Sequence, residues 1–221
     1  MNIIIGRLII YTLLLLVSLN ACGKKKKKKG TDVSQNLLKG KRILMILPER
    51  DFNEDEYSQV KSNLEDQGAY VKIASKKSNE DIKGMEGLWL KTDFSWDKIR
   101  VSEWHAFVLI GGSGTPKHFE DKKLHSLLKE ANNQKKWIAS ICLSPMILAQ
   151  AGILIGKKAT CFPSIQQDIR EMGVKIEDKP VVVDKTSRIV TGRGPKAAYL
   201  FSFKLIEMLS GKKVDQAREN E

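Results

Sequence analysis

The chain has 221 residues, a length suited to one domain of ordinary size, and 42% hydrophobic content, enough for a sizeable core. The formal net charge is +12, but Arg7 and Lys24 to Lys29 carry seven of those charges, which leaves +5 for everything after residue 29. Charge concentrated in one short tract argues against a basic face built for nucleic acid.

The first residues read as a leader. Arg7 precedes the apolar run "LIIYTLLLLVSL" (Leu8 to Leu19), which is short for a membrane-spanning helix and suits the apolar region of a signal peptide. "LNAC" (Leu19 to Cys22) resembles the lipobox of bacterial lipoproteins, in which the leader is cut before a cysteine that carries the lipid (palmitate among the acyl chains). Asn20 is unusual at its position there, where small residues predominate. This implies a signal peptide over residues 1–21 and a lipidated tether over residues 22–38. An uncleaved anchor and ordinary secretion are the alternatives. "GKKKKKKG" (Gly23 to Gly30) cannot bury anything and reads as a solvated tether. Its lysines, Lys24 to Lys29, suit anionic headgroups, so membrane lipid is the expected partner and the exported side of a bacterial membrane (periplasmic or cell surface) the expected location.

Strands and helices then alternate. "KRILMILP" (Lys41 to Pro48) is a buried parallel strand, followed by the acidic loop "ERDFNEDEY". Tyr57, Val60 and Leu64 form a helical stripe that ends near Gly68. "AYVKIAS" is a strand, "GLWLKTDFSW" a strand and turn, and "HAFVLIGGSG" a strand entering a glycine turn. "LHSLLKEANNQ" is a helix, "WIASI" a strand, and "SPMILAQAG" a helix with Pro145 in its first turn. "KATCF" reads as a strand, "SIQQDIREMG" as a helix, "PVVVD" and "RIVTG" as a hairpin, and "PKAAYLFSFKLIEMLSG" as a last helix. The pattern predicts an α/β domain over residues 39–213 with a mostly parallel central sheet, and a polar tail over 214–221.

In open α/β sheets, ligands sit beyond the carboxyl ends of the strands. The acidic loop, Gly111 to Gly114, and Cys142 all fall there. Cys142 is either a nucleophile on a strand-to-helix elbow or a small buried residue. At an elbow the helix N-terminus would stabilise its thiolate, and N–H groups of the glycine loop would serve as an oxyanion hole. The glycines lack phosphate-loop spacing, so a tight structural turn is the better reading. No histidine and carboxylate spacing resembles a zinc site, and no metal or cofactor is expected. His105 lies at a strand start, and His118 and His125 flank a helix. Solvated surface positions are the plain reading of all three, with His118 nearest the glycine loop. The four tryptophans read as core or interface.

"KRILMILPERDFNEDEY", "AFVLIGGSG", "WIASICLSPMILAQAG", "GKKATCFPSIQQDI", "VVVD" and "IVTGRGPKAAYLF" resemble, in order and near-spacing, the ThiJ/PfpI superfamily of deglycase-like and intracellular-protease-like proteins. The resemblance covers Lys41 to Lys212. It implies a flavodoxin-like three-layer α/β sandwich, related to class I glutamine amidotransferases and commonly dimeric. It also implies a nucleophile-elbow cysteine, a glutamate from the loop after the first strand, and often a histidine.

Carried over by position, the elbow cysteine is Cys142, with Gly112 and Leu143 as backbone donors. Leu143 stands where the protease-like branch has histidine, Ser144-Pro145 replaces Gly-Pro, and Phe162 in "TCFP" takes the other branch's histidine position. Aligned through Phe52, the loop acid falls on Asn53; a slip of one residue gives Glu54. Asn53 could hydrogen-bond but could not take up a proton. Arg193 in "GRGP" implies an ion pair or a dimer contact. Cys161 lies in a segment that in the family passes close to the elbow, so a disulfide to Cys142 is conceivable, and two reduced cysteines are expected. The implied chemistry is thiol attack on a small carbonyl or acyl substrate with a weakened acid/base set. A non-catalytic binding or redox-sensing domain is the alternative.

Overall fold

The computed structural model describes residues 36–214; the expected leader, Cys22 and Lys24 to Lys29 lie outside the described residues. In chain order the main elements are β1 (Arg42–Ile46), β2 (Arg50–Phe52), α1 (Glu54–Asp66), β3 (Tyr70–Ser75), β4 (Asp81–Gly84), β5 (Trp89–Lys91), β6 (Phe94–Ser95) and β7 (Ala106–Leu109). Then come α2 (Lys122–Asn133), β8 (Trp137–Ile141), α3 (Pro145–Gln150), β9 (Lys158–Ala159), α4 (Gln166–Glu171), β10 (Lys175–Ile176), β11 (Val181–Asp184), β12 (Ile189–Gly192) and α5 (Ala198–Ser210).

Seven strands make the central sheet in the order β11-β12-β8-β7-β1-β3-β6. All neighbours run parallel except the hairpin β11–β12. The middle strands are continuous apolar runs because both faces of the sheet are covered. Ile43, Met45, Ala106 and Val108 pack with Val60 and Leu64 of α1 and with Phe201 and Leu205 of α5. Leu44, Ile46, Phe107 and Leu109 face the other way, onto Leu124 and Leu128 of α2 and Met146 and Leu148 of α3. The period-2 alternation of strand side chains therefore produces the three-layer α/β sandwich expected from the sequence.

The departures are local. The acidic stretch after β1 is not all loop, since it forms β2 and the first turn of α1. β2, β4 and β5 make a small separate sheet. "KATCF" is a strand only at Lys158–Ala159, beyond which the chain turns to meet the end of β8. His118 and His125 are buried rather than solvated. His125 Nε2 lies 2.7 Å from the Phe119 carbonyl, and the His118 ring lies edge-on to Trp96 with Nε2 3.6 Å from Glu49. Among the described residues no helix is long and apolar enough to cross a membrane.

Candidate active site

β8 ends at Ile141, and Cys142 follows at φ +65°, in the left-handed region. A non-glycine residue there costs about 1–3 kcal/mol and persists only where its surroundings hold it. Here the Cys142 N–H donates to the Gly192 carbonyl at 3.0 Å and its carbonyl accepts the Phe162 N–H at 2.8 Å. Ser144 Oγ donates to the Ile110 carbonyl at 2.8 Å, and Pro145 opens α3 at once. The turn aims the N–H groups of Gly112 and Leu143 at the Cys142 sulfur, where both favour the thiolate.

The carboxylate beside the sulfur belongs to Glu56, not to Asn53 or Glu54. Asn53 is the N-cap of α1, and its side chain accepts the Glu56 N–H at 2.9 Å. Glu54 is buried against Gly84 instead, and its two oxygens accept the N–H groups of Leu88 and Glu86, each at 2.6 Å. That arrangement ties α1 to the β4–β5 turn. Replacing Glu54 with Ala strands two backbone donors, so we expect a loss of about 2–4 kcal/mol in denaturant unfolding.

Glu56 sits in the first turn of α1 on the stripe it shares with Val60 and Leu64 and is fully buried. Its Oε2 accepts the Gly111 N–H at 2.9 Å, its Oε1 has no hydrogen-bond partner of ordinary geometry, and the carboxyl touches the Cys142 thiol. A Cβ at Gly111 would come within 2.5 Å of Cys142 Cβ and 2.9 Å of Glu56 Oε2, so only glycine lets carboxyl and thiol meet. At Gly112, φ is +124° and a Cβ would fall 2.2 Å from the Asp51 carbonyl, so this position also requires glycine.

Burial dominates both titrations. It pushes the Glu56 carboxyl up to about 7, against the opposing hydrogen bond from Gly111. It pushes the Cys142 thiol well above its ordinary value, reinforced by the neighbouring Glu56 charge and opposed by the two N–H groups. The pair therefore holds one negative charge more readily than two.

Phe162 is partly exposed, and its ring lies over Gly194. With Pro163, Pro180, Pro195, Arg193 and Lys196 it lines an open, mostly apolar cavity of about 500 Å³. Arg193 forms an ion pair with Asp178. Cys161 is fully buried and, like Cys142, carries a free thiol, so the two are not joined. Among the described residues no group of three or more His, Cys, Asp and Glu side chains converges as a metal site would.

A flavodoxin-like sandwich with a strained cysteine elbow and a buried glutamate against the sulfur defines a class of thiol-bearing α/β domains. The chain belongs to the DJ-1/PfpI family, whose model matches residues 41–208. A deglycase of Pyrococcus horikoshii is 32% identical over 166 residues, covering 75% of this chain and 98% of that protein. A glutathione-independent glyoxalase of Caenorhabditis elegans is 29% identical over 171 residues, covering 77% and 90%. Among solved structures, DJ-1beta of Drosophila melanogaster superposes with a TM-score of 0.71 at 30% identity, covering 78% of this chain and 91% of that one. A ThiJ/PfpI domain protein from Brachyspira murdochii gives 0.74 at 26% identity, covering 78% and 98%.

Proposed function

We propose that this is a cysteine-dependent, deglycase- or glyoxalase-like enzyme acting on a small carbonyl substrate, with Cys142 as nucleophile and Glu56 as its proton acceptor. The observation that carries the reading is the buried Glu56 carboxyl against the Cys142 thiol, with two N–H donors on the sulfur. Relatives named deglycase and glyoxalase support it. A carboxyl titrating near neutrality is suited to take the thiol proton as the sulfur attacks.

With a 2-oxoaldehyde, the C–S bond forms while the carbonyl π pair moves to oxygen, held by the N–H groups of Gly112 and Leu143. Glu56 then holds the thiol proton and can return it to that oxygen. Glu56, ionised again, takes the proton from the attacked carbon to give an enediol and delivers it to the neighbouring carbonyl carbon, while the hydroxyl proton of the attacked carbon passes to the second oxygen; one carbon is oxidised, the other reduced, and a thioester of a 2-hydroxy acid remains. Water cleaves the thioester to a 2-hydroxy acid and restores the thiol. The reading is tested by supplying methylglyoxal to the full chain and assaying lactate, together with the mass of the Cys142 peptide. No lactate and no adduct would overturn it.

The rival is a thiol-based binding or redox-sensing domain. It draws on the near-complete burial of Cys142 and on Phe162 and Leu143 standing where the family resemblance implies histidine. Peroxide oxidation of Cys142 with no aldehyde turnover would favour it.

The leader supports a second part of the proposal. Lipid on Cys22 and contact through Lys24 to Lys29 would hold the domain at the exported face of a bacterial membrane, with a homodimer as a further possible assembly. Cys22→Ser is expected to release the protein from washed membranes or to block its processing. Full retention with the leader intact would point to an uncleaved helix instead.

A further inference from the structure

At the amino ends of the strands, opposite the site, lies an open groove of about 670 Å³. Lys41, Lys135, Lys136, Lys185 and Arg188 line it together with His105, and no carboxylate does. Among the described residues none of these five cations has an ion-pair partner. Arg188 donates to the Lys135 carbonyl at 2.9 Å and Lys136 to the Ser102 carbonyl at 3.4 Å, both neutral acceptors. The nearby acids are engaged elsewhere: Glu130 with Gln134, Asp184 with the Ser187 N–H, and Glu207 with Lys204 and the Val214 N–H. Lys39, Lys212 and Lys213, close in sequence to the lining, are also exposed. After burial, the charges of Lys41 and Lys136 are the chief causes that hold His105 below its ordinary pKa, a local sign of the positive field.

Two further facts orient this face. The chain enters the domain here: the Leu38 N–H donates to the Gln67 carbonyl at the end of α1, and the Lys41 N–H donates to the Leu38 carbonyl, each at 2.8 Å. Residue 39 follows Lys24 to Lys29 by only ten positions in sequence. The site lies at the other end of the sheet, because β8 starts at Trp137 in the groove and ends one residue before Cys142. Five residues of strand span roughly 17 Å.

We infer that this basic groove is a docking surface for an anionic phospholipid headgroup layer, which sets the domain upright on the membrane with the Cys142 elbow facing away from it. Unpaired lysines and arginine match a sheet of negative charge. The groove is open and carries several separate cations, as a surface contact needs. It draws on the anchored reading only for where the membrane is met; the charge match stands on the domain alone.

The test uses the full chain with vesicles of mixed phosphatidylglycerol and phosphatidylcholine, and with phosphatidylcholine alone. Brief lysine acetylation is then read by mass spectrometry. On anionic vesicles Lys41, Lys135, Lys136 and Lys185 should label roughly fivefold less than on neutral ones. High salt should restore their labelling, while Lys117 and Lys196 at the site end stay unchanged. The variant Lys135→Glu/Lys185→Glu/Arg188→Glu should lose the protection of Lys41 and Lys136. Equal labelling on both vesicle types, or protection that survives the triple variant, would overturn the inference. So would duplex DNA protecting these lysines where vesicles do not. Membrane release of Cys22→Ser reports on the anchor alone, so the two readings fail separately.

Discussion

Glu56→Gln is expected to lower aldehyde turnover by about 10²–10⁴-fold, the usual contribution of a positioned proton acceptor. The same variant should be the more stable protein at alkaline pH. The folded-state pKa of Glu56 is raised by burial to about 7, above its unfolded value. The proton is therefore bound more tightly in the folded chain. Its contribution to stability is complete below the unfolded pKa and is lost as pH rises through about 7. A shift of this size corresponds to up to about 3 kcal/mol, with the thiol and the carboxyl sharing it. His105, His118 and His125, whose pKa values burial lowers, make both proteins gain stability as pH rises, so the wild-type denaturant midpoint should fall between pH 5 and 8 relative to that of Glu56→Gln. A wild-type midpoint that rises relative to the variant across that range would contradict the placement of this carboxyl.

Cys142→Ala should bring turnover to the uncatalysed rate, because no other thiol in the domain is placed to replace it. Cys161 is fully buried, and its pKa is pushed up to about 12 by burial. Alanine keeps the left-handed backbone strain at this position, so stability should change by about 1 kcal/mol or less. Loss of the thiol also removes a hydrogen bond that lowers the Glu56 pKa, so that pKa should move further up in the variant. Carboxyl infrared absorption followed against pH would register the change. Residual turnover in Cys142→Ala would place the chemistry elsewhere.

The central strands were legible because a parallel strand covered on both faces is a nearly continuous apolar run, as "AFVL" is and as "RILMI" and "WIASI" are apart from Arg42 and Ser140. The elbow was legible as a strand running into Cys-x-Ser-Pro. The small sheet was legible only at β5, inside "GLWLKTDFSW", because β2 and β4 are three and four residues long and pair across about thirty positions of chain, while β5 joins β4 as a short hairpin. Glu56 was misplaced because the acidic stretch read as loop up to Tyr57, whereas Asn53 caps a helix that starts at Glu54. One signal was available. Positions 56, 60 and 64 share a helix face, and a glutamate on an otherwise apolar stripe marks a buried carboxyl. The burial of His118, between Lys117 and Phe119 and outside any long helix, left no comparable trace, whereas His125 lies beside Leu124 and one turn before Leu128 on the buried face of α2.

The most direct test of the central claim is the pH dependence of kcat/KM for methylglyoxal, measured on the full wild-type chain and on Glu56→Gln. The account predicts a wild-type rise with an inflection near pH 7, where the buried carboxyl loses its proton. It predicts a Glu56→Gln profile at least about 10²-fold lower and without that inflection. Equal rates in the two proteins, or an inflection near 7 that survives the substitution, would contradict it.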